Sequence, residues 1–214
     1  MVDSLQLTDM NARAALRKTL RTARKAIATD AQTRAANAMV SQLLLLFPRD
    51  QPCNVAVYLQ NDGEVDLQAF VSHCWRELPN ITFCLPVLHP VCKGHLLFLR
   101  YSAQTKMIEN KYRIKEPQLA CYDVIPAKNI NFILMPLVGF DTSGNRLGMG
   151  GGYYDRTLAF TKLANTKPTL IGVAHDIQEV SALPIAPWDI PLDAIVTPTR
   201  ILHFKGTPSL DSLY

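Results

Sequence analysis

Asn131-Phe-Ile-Leu-Met-Pro-Leu137 leads, through Val138, into Gly139-Phe-Asp-Thr-Ser-Gly-Asn-Arg-Leu-Gly-Met-Gly-Gly-Gly-Tyr-Tyr-Asp-Arg156. The first stretch is apolar after its opening residue, with no polar alternation, which predicts a strand buried on both faces. The second holds five glycines within nine residues, at 144, 148, 150, 151 and 152. Residues 153–162 then read as a helix. Strand, glycine-dense bend and helix form the repeating unit of an α/β sheet. Such a bend lies at the carboxyl end of its strand, where these folds bind ligands.

The rest of the chain repeats the alternation. Apolar runs at 54–59, 81–87, 95–101, 169–174 and 193–197 read as strands. Residues 66–78 read as an amphipathic helix, and 102–128 as mixed structure limited by Pro117 and Pro126. Residues 9–28 read as a helix bearing Arg13, Arg17, Lys18, Arg21, Arg24 and Lys25. Arg13, Arg17, Arg21 and Arg24 share one side of it. Thr29 or Asp30 is the expected N-cap of a second helix ending near Phe47-Pro48. The predicted fold is α/β: a single domain over residues 1–214, built as a three-layer sandwich with a mostly parallel central sheet flanked by helices.

Composition narrows the class. Apolar residues make up 48% of the 214, enough for a packed core, and charged residues 19%, too few for a disordered chain. The net charge of +4 suits an anionic small molecule as well as nucleic acid, so it decides little. No start resembling a signal peptide and no run long enough to cross a bilayer occur, so a cytoplasmic protein is expected. Cysteines at 53, 74, 84, 92 and 121 form no CxxC pair, which argues for reduced thiols rather than disulfides or zinc.

The glycine bend carries the chemistry. Glycines let successive backbone N–H groups converge on an anion, and a following helix adds its positive end. Arg146 and Arg156 can add charge-assisted bonds to phosphate oxygens, and Asp155 supplies a hard oxygen ligand of the kind phosphate-bound magnesium takes. The bend is not a Walker A sequence, since no Gly-Lys-Ser/Thr occurs. On residues alone a phosphate or nucleotide cradle is favoured over a structural turn, and the turn remains open.

The run GFDTSGNRLGMGGGYYDR resembles the signature of the 5-formyltetrahydrofolate cyclo-ligase (methenyltetrahydrofolate synthetase) family. Other pieces agree in order: Arg13-Ala-Ala-Leu-Arg17, Tyr58-Leu-Gln-Asn-Asp-Gly-Glu-Val-Asp66, Leu85-Pro-Val-Leu-His89 and Pro191-Leu-Asp-Ala-Ile-Val-Thr197. The resemblance spans about residues 10–205. It implies an ATP- and Mg2+-dependent closure of 5-formyltetrahydrofolate to 5,10-methenyltetrahydrofolate. ADP and phosphate are released, and a phosphorylated formyl group is the intermediate.

The same resemblance implies residue roles. ATP would be held by Arg13, Arg17, Arg146, Leu147, Gly148, Met149, Gly150, Gly151, Gly152, Tyr153 and Tyr154. The folate would meet Leu59, Glu64, Met149, Gly150, Gly151, Gly152 and Tyr153, with Glu64 on the pterin ring. Arg146 and Tyr153 would be catalytic, and Asp155 and Asp193 would hold magnesium. Position 13 is commonly lysine in the family and position 149 often basic, so Arg13 and Met149 are departures. Tyr112 borders the folate only weakly on this reading, and His175 with Asp176 reads as a structural pair. The implied partners are small molecules, with no nucleic acid and no membrane, and the implied state is a monomer. Two other classes compete: a nucleotide- or RNA-binding module using the basic helix, and a phosphosugar isomerase or transferase using the glycine cradle.

Overall fold

The computed structural model describes residues 4–48 and 50–204; the ends of the 1–214 domain reading, 1–3 and 205–214, lie outside the described residues. The chain opens with two helices, α1 (Ser4–Lys25) and α2 (Thr29–Leu44). It then alternates: β1 (Cys53–Ala56), α3 (Gln68–Glu77), β2 (Ile81–Leu88), β3 (Leu96–Tyr101), β4 (Met107–Glu109) and β5 (Lys115–Pro117). After these come β6 (Phe132–Pro136), β7 (Gly139–Phe140), β8 (Arg146–Leu147), α4 (Tyr153–Thr157), β9 (Thr169–Val173), β10 (Ala194–Val196) and β11 (Ile201–His203).

Seven strands form one sheet in the order β11-β10-β9-β6-β1-β2-β3. The five inner strands run parallel, and β3 and β11 close the two edges antiparallel. The mostly parallel α/β expectation therefore holds. Alternation along the inner strands builds two cores. Val55, Phe83, Leu85, Leu134, Ile171, Ala194 and Val196 point to one face, where Met39 and Leu43 of α2 and Phe70 and Val71 of α3 cover them. Ala56, Cys84, Ile133, Met135, Leu170 and Ile195 point to the other, under Phe140, Leu158 and Tyr154. Inner strands covered on both faces read as unbroken apolar runs, as 131–137 does.

Several local expectations are corrected. The N-cap of α2 lies one residue before Thr29: it is Ala28, extended and without a side-chain bond. Asp30 lies in the first turn instead, where a negative charge is favoured, and pairs with Arg34 at 2.7 Å. Leu44 ends α2, and Leu46 and Phe47 turn down into the core. The helix expected over 153–162 is a single turn, α4, followed by a 3-10 turn at Ala159–Lys162. The Thr157 hydroxyl donates back to the Tyr153 carbonyl and accepts from Leu96 N, which anchors that turn to β3. Residues 102–128 contain the β4–β5 hairpin.

Helix α1 crosses the carboxyl ends of the strands rather than a sheet face. Its Arg24 donates to the Leu137 carbonyl just past β6 and to the Asp62 carbonyl past β1. A Cβ on Gly139 would come within 2.5 Å of Leu20 Cδ1, so glycine there lets the helix lie flat on the strand end. No helix among the described residues is long and apolar enough to cross a membrane.

Candidate active site

A cavity of about 740 Å³ opens at the carboxyl ends of β1, β2 and β6. It is lined by α1, the residues after β1, the ends of β2, β3 and β6, the β4–β5 hairpin, the glycine bend after β8, and residues 185–189. This is where a parallel sheet leaves strand ends uncovered.

The glycine bend turns through left-handed backbone, with φ +95° at Gly150 and +62° at Gly152, conformations that L side chains rarely adopt. Space is not the constraint at Gly150, since a Cβ there would sit 3.6 Å from the Arg17 guanidinium, an ordinary contact. Among the described residues, no backbone N–H of 148–152 donates to a protein acceptor. These residues are exposed or half-buried at the cleft, so the run of free N–H groups is open to an outside acceptor.

Arginines surround the bend. Arg146 is 6% exposed, and its Nη2 lies 2.5 Å from Asp155 Oδ1. Its Nε is buried with no partner among the described residues. Arg17 donates through Nε to the Gly148 carbonyl at 2.8 Å, tying α1 to the bend. Burial, and secondarily the neighbouring Arg13 cation, lowers the Arg17 pKa. A nearby anion would oppose both by favouring the charged form. Arg13 is already engaged: its fork grips Asp189 at 2.6 and 3.1 Å and also donates to the Pro184 carbonyl. That bidentate grip needs the planar guanidinium that lysine lacks. Arg156, expected to meet phosphate, instead donates to the carbonyls of Gly94 and Gly151 and so braces the bend from outside.

Glu64 lines the same cleft, its side chain 11% exposed. Oε2 accepts from Asn61 N at 3.2 Å, and Oε1 lies 3.9 Å from Arg24 Nη1. Burial raises its pKa to about 7, and Arg24 only partly opposes this. Arg24 is fully buried, but its donors are taken by Asp62 and the Leu137 carbonyl. Glu64 is thus a desolvated carboxylate without a matched cation, a strong acceptor for paired N–H groups. Leu59 lies beside it. Tyr153 faces Tyr112 of the β4–β5 turn, their hydroxyls 2.6 Å apart across the cleft.

The magnesium pair is not brought together. Asp155 lines the cleft, with both of its bonds, from Arg146 and Ile190 N, on Oδ1. Asp193 stands just before β10, at the amino end of the strands, where Oδ2 accepts from Leu170 N at 2.7 Å and Oδ1 faces Lys167 at 3.7 Å. It does not line the cavity. Among the described residues no cluster of three metal-ligating side chains occurs. Magnesium commonly binds through one or two carboxylates plus substrate phosphates, so Asp155 alone fits that role and Asp193 does not.

Most residues expected at the site share the cleft: Arg13, Arg17, Leu59, Glu64, Arg146, Gly148, Met149, Gly150, Gly151, Gly152, Tyr153, Tyr154 and Asp155. Leu147 is fully buried beneath the bend, and its carbonyl accepts from Val138 N. His175 is buried, and Asp176 accepts from Thr199 rather than from it, so the two form no dyad. Sequence reasoning missed Ile185, Trp188 and Asp189. Their only signal was an exposed-type tryptophan in a proline-rich segment, 184–191.

Comparison with known proteins follows this geometry. The profile of the 5-formyltetrahydrofolate cyclo-ligase family matches residues 9–198. The 5-formyltetrahydrofolate cyclo-ligase of Escherichia coli K12 is 41% identical over 182 residues, covering 85% of this chain and 98% of its own. That of Haemophilus influenzae is also 41% identical, over 75% of this chain and 84% of its own. The solved 5,10-methenyltetrahydrofolate synthetase of Aquifex aeolicus superposes with a TM-score of 0.76 at 28% identity, covering 92% of this chain and 95% of that one. The Mycoplasma pneumoniae 5,10-methenyltetrahydrofolate synthetase gives a TM-score of 0.66 at 26% identity, over 87% and 98%. The chain belongs to the 5-formyltetrahydrofolate cyclo-ligase family.

Proposed function

We propose that this chain is a 5-formyltetrahydrofolate cyclo-ligase that uses MgATP to form 5,10-methenyltetrahydrofolate, ADP and phosphate. One observation carries the reading. The unpartnered N–H groups of 148–152, ringed by Arg17 and Arg146, open into the same cleft as the desolvated Glu64. An anion cradle and a pterin-type acceptor side by side suit a reaction between a triphosphate and a folate.

In this mechanism the formyl oxygen on N5 attacks the γ-phosphorus and displaces ADP. The resulting imidate phosphate is attacked at carbon by N10, which loses its proton, and phosphate leaves as the ring closes. The chain's task is alignment and charge neutralisation, with no covalent enzyme intermediate. Backbone N–H groups of the bend and the positive guanidinium of Arg146 would stabilise the charge that develops on the transferring group. Glu64 fixes the pterin by accepting its paired N–H bonds, and Tyr153 flanks the reacting groups. Asp155 would hold magnesium, which neutralises phosphate charge when bound.

The RNA-binding alternative has less to draw on. Among the described residues, four of the six basic side chains at 13–25 are ion-paired, Arg13 to Asp189 and Arg21, Arg24 and Lys25 to Asp62, which leaves Arg17 and Lys18 and little of a free basic stripe. The phosphosugar alternative gives Glu64 no task. We place the reaction in the cytoplasm, carried out by a monomer. The test mixes protein, 5-formyltetrahydrofolate and MgATP. The near-ultraviolet absorbance of the methenyl product should rise only with all three, and a rise without ATP would overturn the reading.

A further inference from the structure

The turn that carries Glu64 is fastened to the last part of α1. Asp62 and Gly63 have φ of +53° and +77°, and a Cβ on Gly63 would sit 3.3 Å from the Arg24 carbonyl. The Arg24 side chain is fully buried. Its guanidinium donates to the Asp62 carbonyl at 2.9 Å, to Asp62 Oδ2 at 2.8 Å and to the Leu137 carbonyl at 2.9 Å. One cation thus joins α1, the Glu64 turn and the residue after β6. Two of its partners have other donors. The Asp62 carboxylate also receives Arg21 and Lys25, and the Leu137 carbonyl also accepts from Gln178. Satisfying them does not by itself call for a buried guanidinium, which is costly to desolvate.

Glu64 stands outside these bonds. Its Oε1 lies 3.9 Å from Arg24 Nη1, within reach of the charge but beyond a hydrogen bond. A cation placed this way favours the carboxylate form without occupying its lone pairs, which stay free for N–H groups of a substrate. The other ionisable groups near Glu64 do not supply this. Asp62 on the same turn opposes it, and Tyr58 and Tyr154 are phenols that burial keeps neutral. His175, lowered by burial, faces Gly63 and Arg24.

We propose that Arg24 is a positioning residue of the folate end of the cleft: it pins the 61–64 turn and holds a positive charge beside Glu64 while leaving the carboxylate's acceptor sites to the pterin. The proposal rests on the pterin role of Glu64 and deepens it.

The test uses the full chain and compares Arg24→Met, which keeps length but not charge, and Arg24→Lys, which keeps charge but not the fork, with wild type. Folding is checked by urea denaturation. The quantity read is kcat/KM for 5-formyltetrahydrofolate from about pH 5.5 to 9, whose acid limb reports ionisation in the free enzyme. In Arg24→Met the limb should move up by about one pH unit or more, with about a tenfold loss near pH 7 that is largely regained at high pH. Arg24→Lys should stay within about half a unit of wild type, and KM for ATP within about twofold in both. Added to Glu64→Gln, Arg24→Met should change the folate KM by less than about twofold, because its target is gone. An unmoved limb, a loss equal at every pH, a lysine variant shifted as far as the methionine one, or an undiminished loss on top of Glu64→Gln overturns the proposal. If Arg24→Met does not fold, Asp62→Asn carries the test: with the opposing charge removed the limb should move down, and a limb unmoved or raised overturns the proposal. A Glu64→Gln variant that raises both KM values alike strikes the pterin role itself, and absence of ATP-dependent turnover in wild type strikes the cyclo-ligase reading. Both appear before Arg24 is changed.

Discussion

Arg146 and Asp155 meet at the wall of the cleft, Nη2 2.5 Å from Oδ1, with side chains 4% and 15% exposed. Asp155 thus does two things: it neutralises a buried arginine and presents a carboxylate to the cleft. Removing one member of a buried pair strands the other and costs about 3–5 kcal/mol. Asp155→Ala would therefore confuse folding with catalysis. Asp155→Asn keeps an acceptor for Arg146 and Ile190 N but loses the charge. It should fold with a modest drop in Tm and lose at least about a hundredfold in MgATP-dependent turnover. Steady-state rates across a magnesium series decide this, and activity within a few-fold of wild type would remove Asp155 from the metal role.

Asp193 makes the opposite case. Its carboxylate caps Leu170 N at the amino edge of β9 and β10, next to Lys167. Asp193→Asn should lower stability by about 1–2 kcal/mol, the range for weakening a charged bond to a buried N–H. The magnesium concentration for half-maximal rate should not move. A shift in that concentration without a stability change would restore Asp193 as a ligand.

Asp62 anchors α1. It receives Arg21, Arg24 and Lys25 at 2.7, 2.8 and 2.6 Å. These cations, Arg21 foremost, hold its pKa well below the usual carboxylate range. A depressed folded pKa gives stability that is present above the unfolded value and lost as pH falls through the carboxylate range and below. Asp62→Asn suits the left-handed φ of +53° at this position. At pH 7 it should cost about 2–4 kcal/mol in urea denaturation, and the gap from wild type should close toward pH 2. A gap independent of pH would deny the ion cluster this role.

Strands of the inner sheet were legible because their runs are largely apolar: 131–137 and 169–174 each contain an observed strand, and 81–87 falls one residue short of β2. Strand β11 was not, because Ile201–His203 is a three-residue edge with no periodicity to detect. The site was legible where its residues lie close in sequence, as in 146–155. Arg13 and Asp189 are 176 positions apart, and no local pattern announces that bond. Arg24 shares a helix side with Arg13, Arg17 and Arg21, and nothing in that spacing announces that it is fully buried, with the Asp62 turn and the Leu137 carbonyl taking its donors. Asp193 makes a complementary point: a matching sequence position does not say at which end of the sheet the carboxylate lies.

Glu64 gives the prediction that couples stability to function. Its pKa is raised to about 7 because burial penalises the charged form more than Arg24, 3.9 Å away, favours it. An acid with a raised folded pKa contributes stability in full below its unfolded value of 4.5, and loses it as pH rises through about 7. Above pH 7 the free protein therefore carries a buried carboxylate whose ionisation costs roughly 3 kcal/mol. Glu64→Gln removes that cost. The variant should match wild type near pH 5 and exceed it by roughly 2–3 kcal/mol at pH 8 in chemical denaturation. It should also weaken folate binding, because the amide presents a donor where the pterin edge needs an acceptor. KM for 5-formyltetrahydrofolate should rise about tenfold or more, and KM for ATP should hardly change. A variant less stable than wild type at pH 8 would show that the Glu64 carboxylate is satisfied in the free protein. Equal loss of both substrates would show that it acts on the shape of the cleft rather than on the pterin.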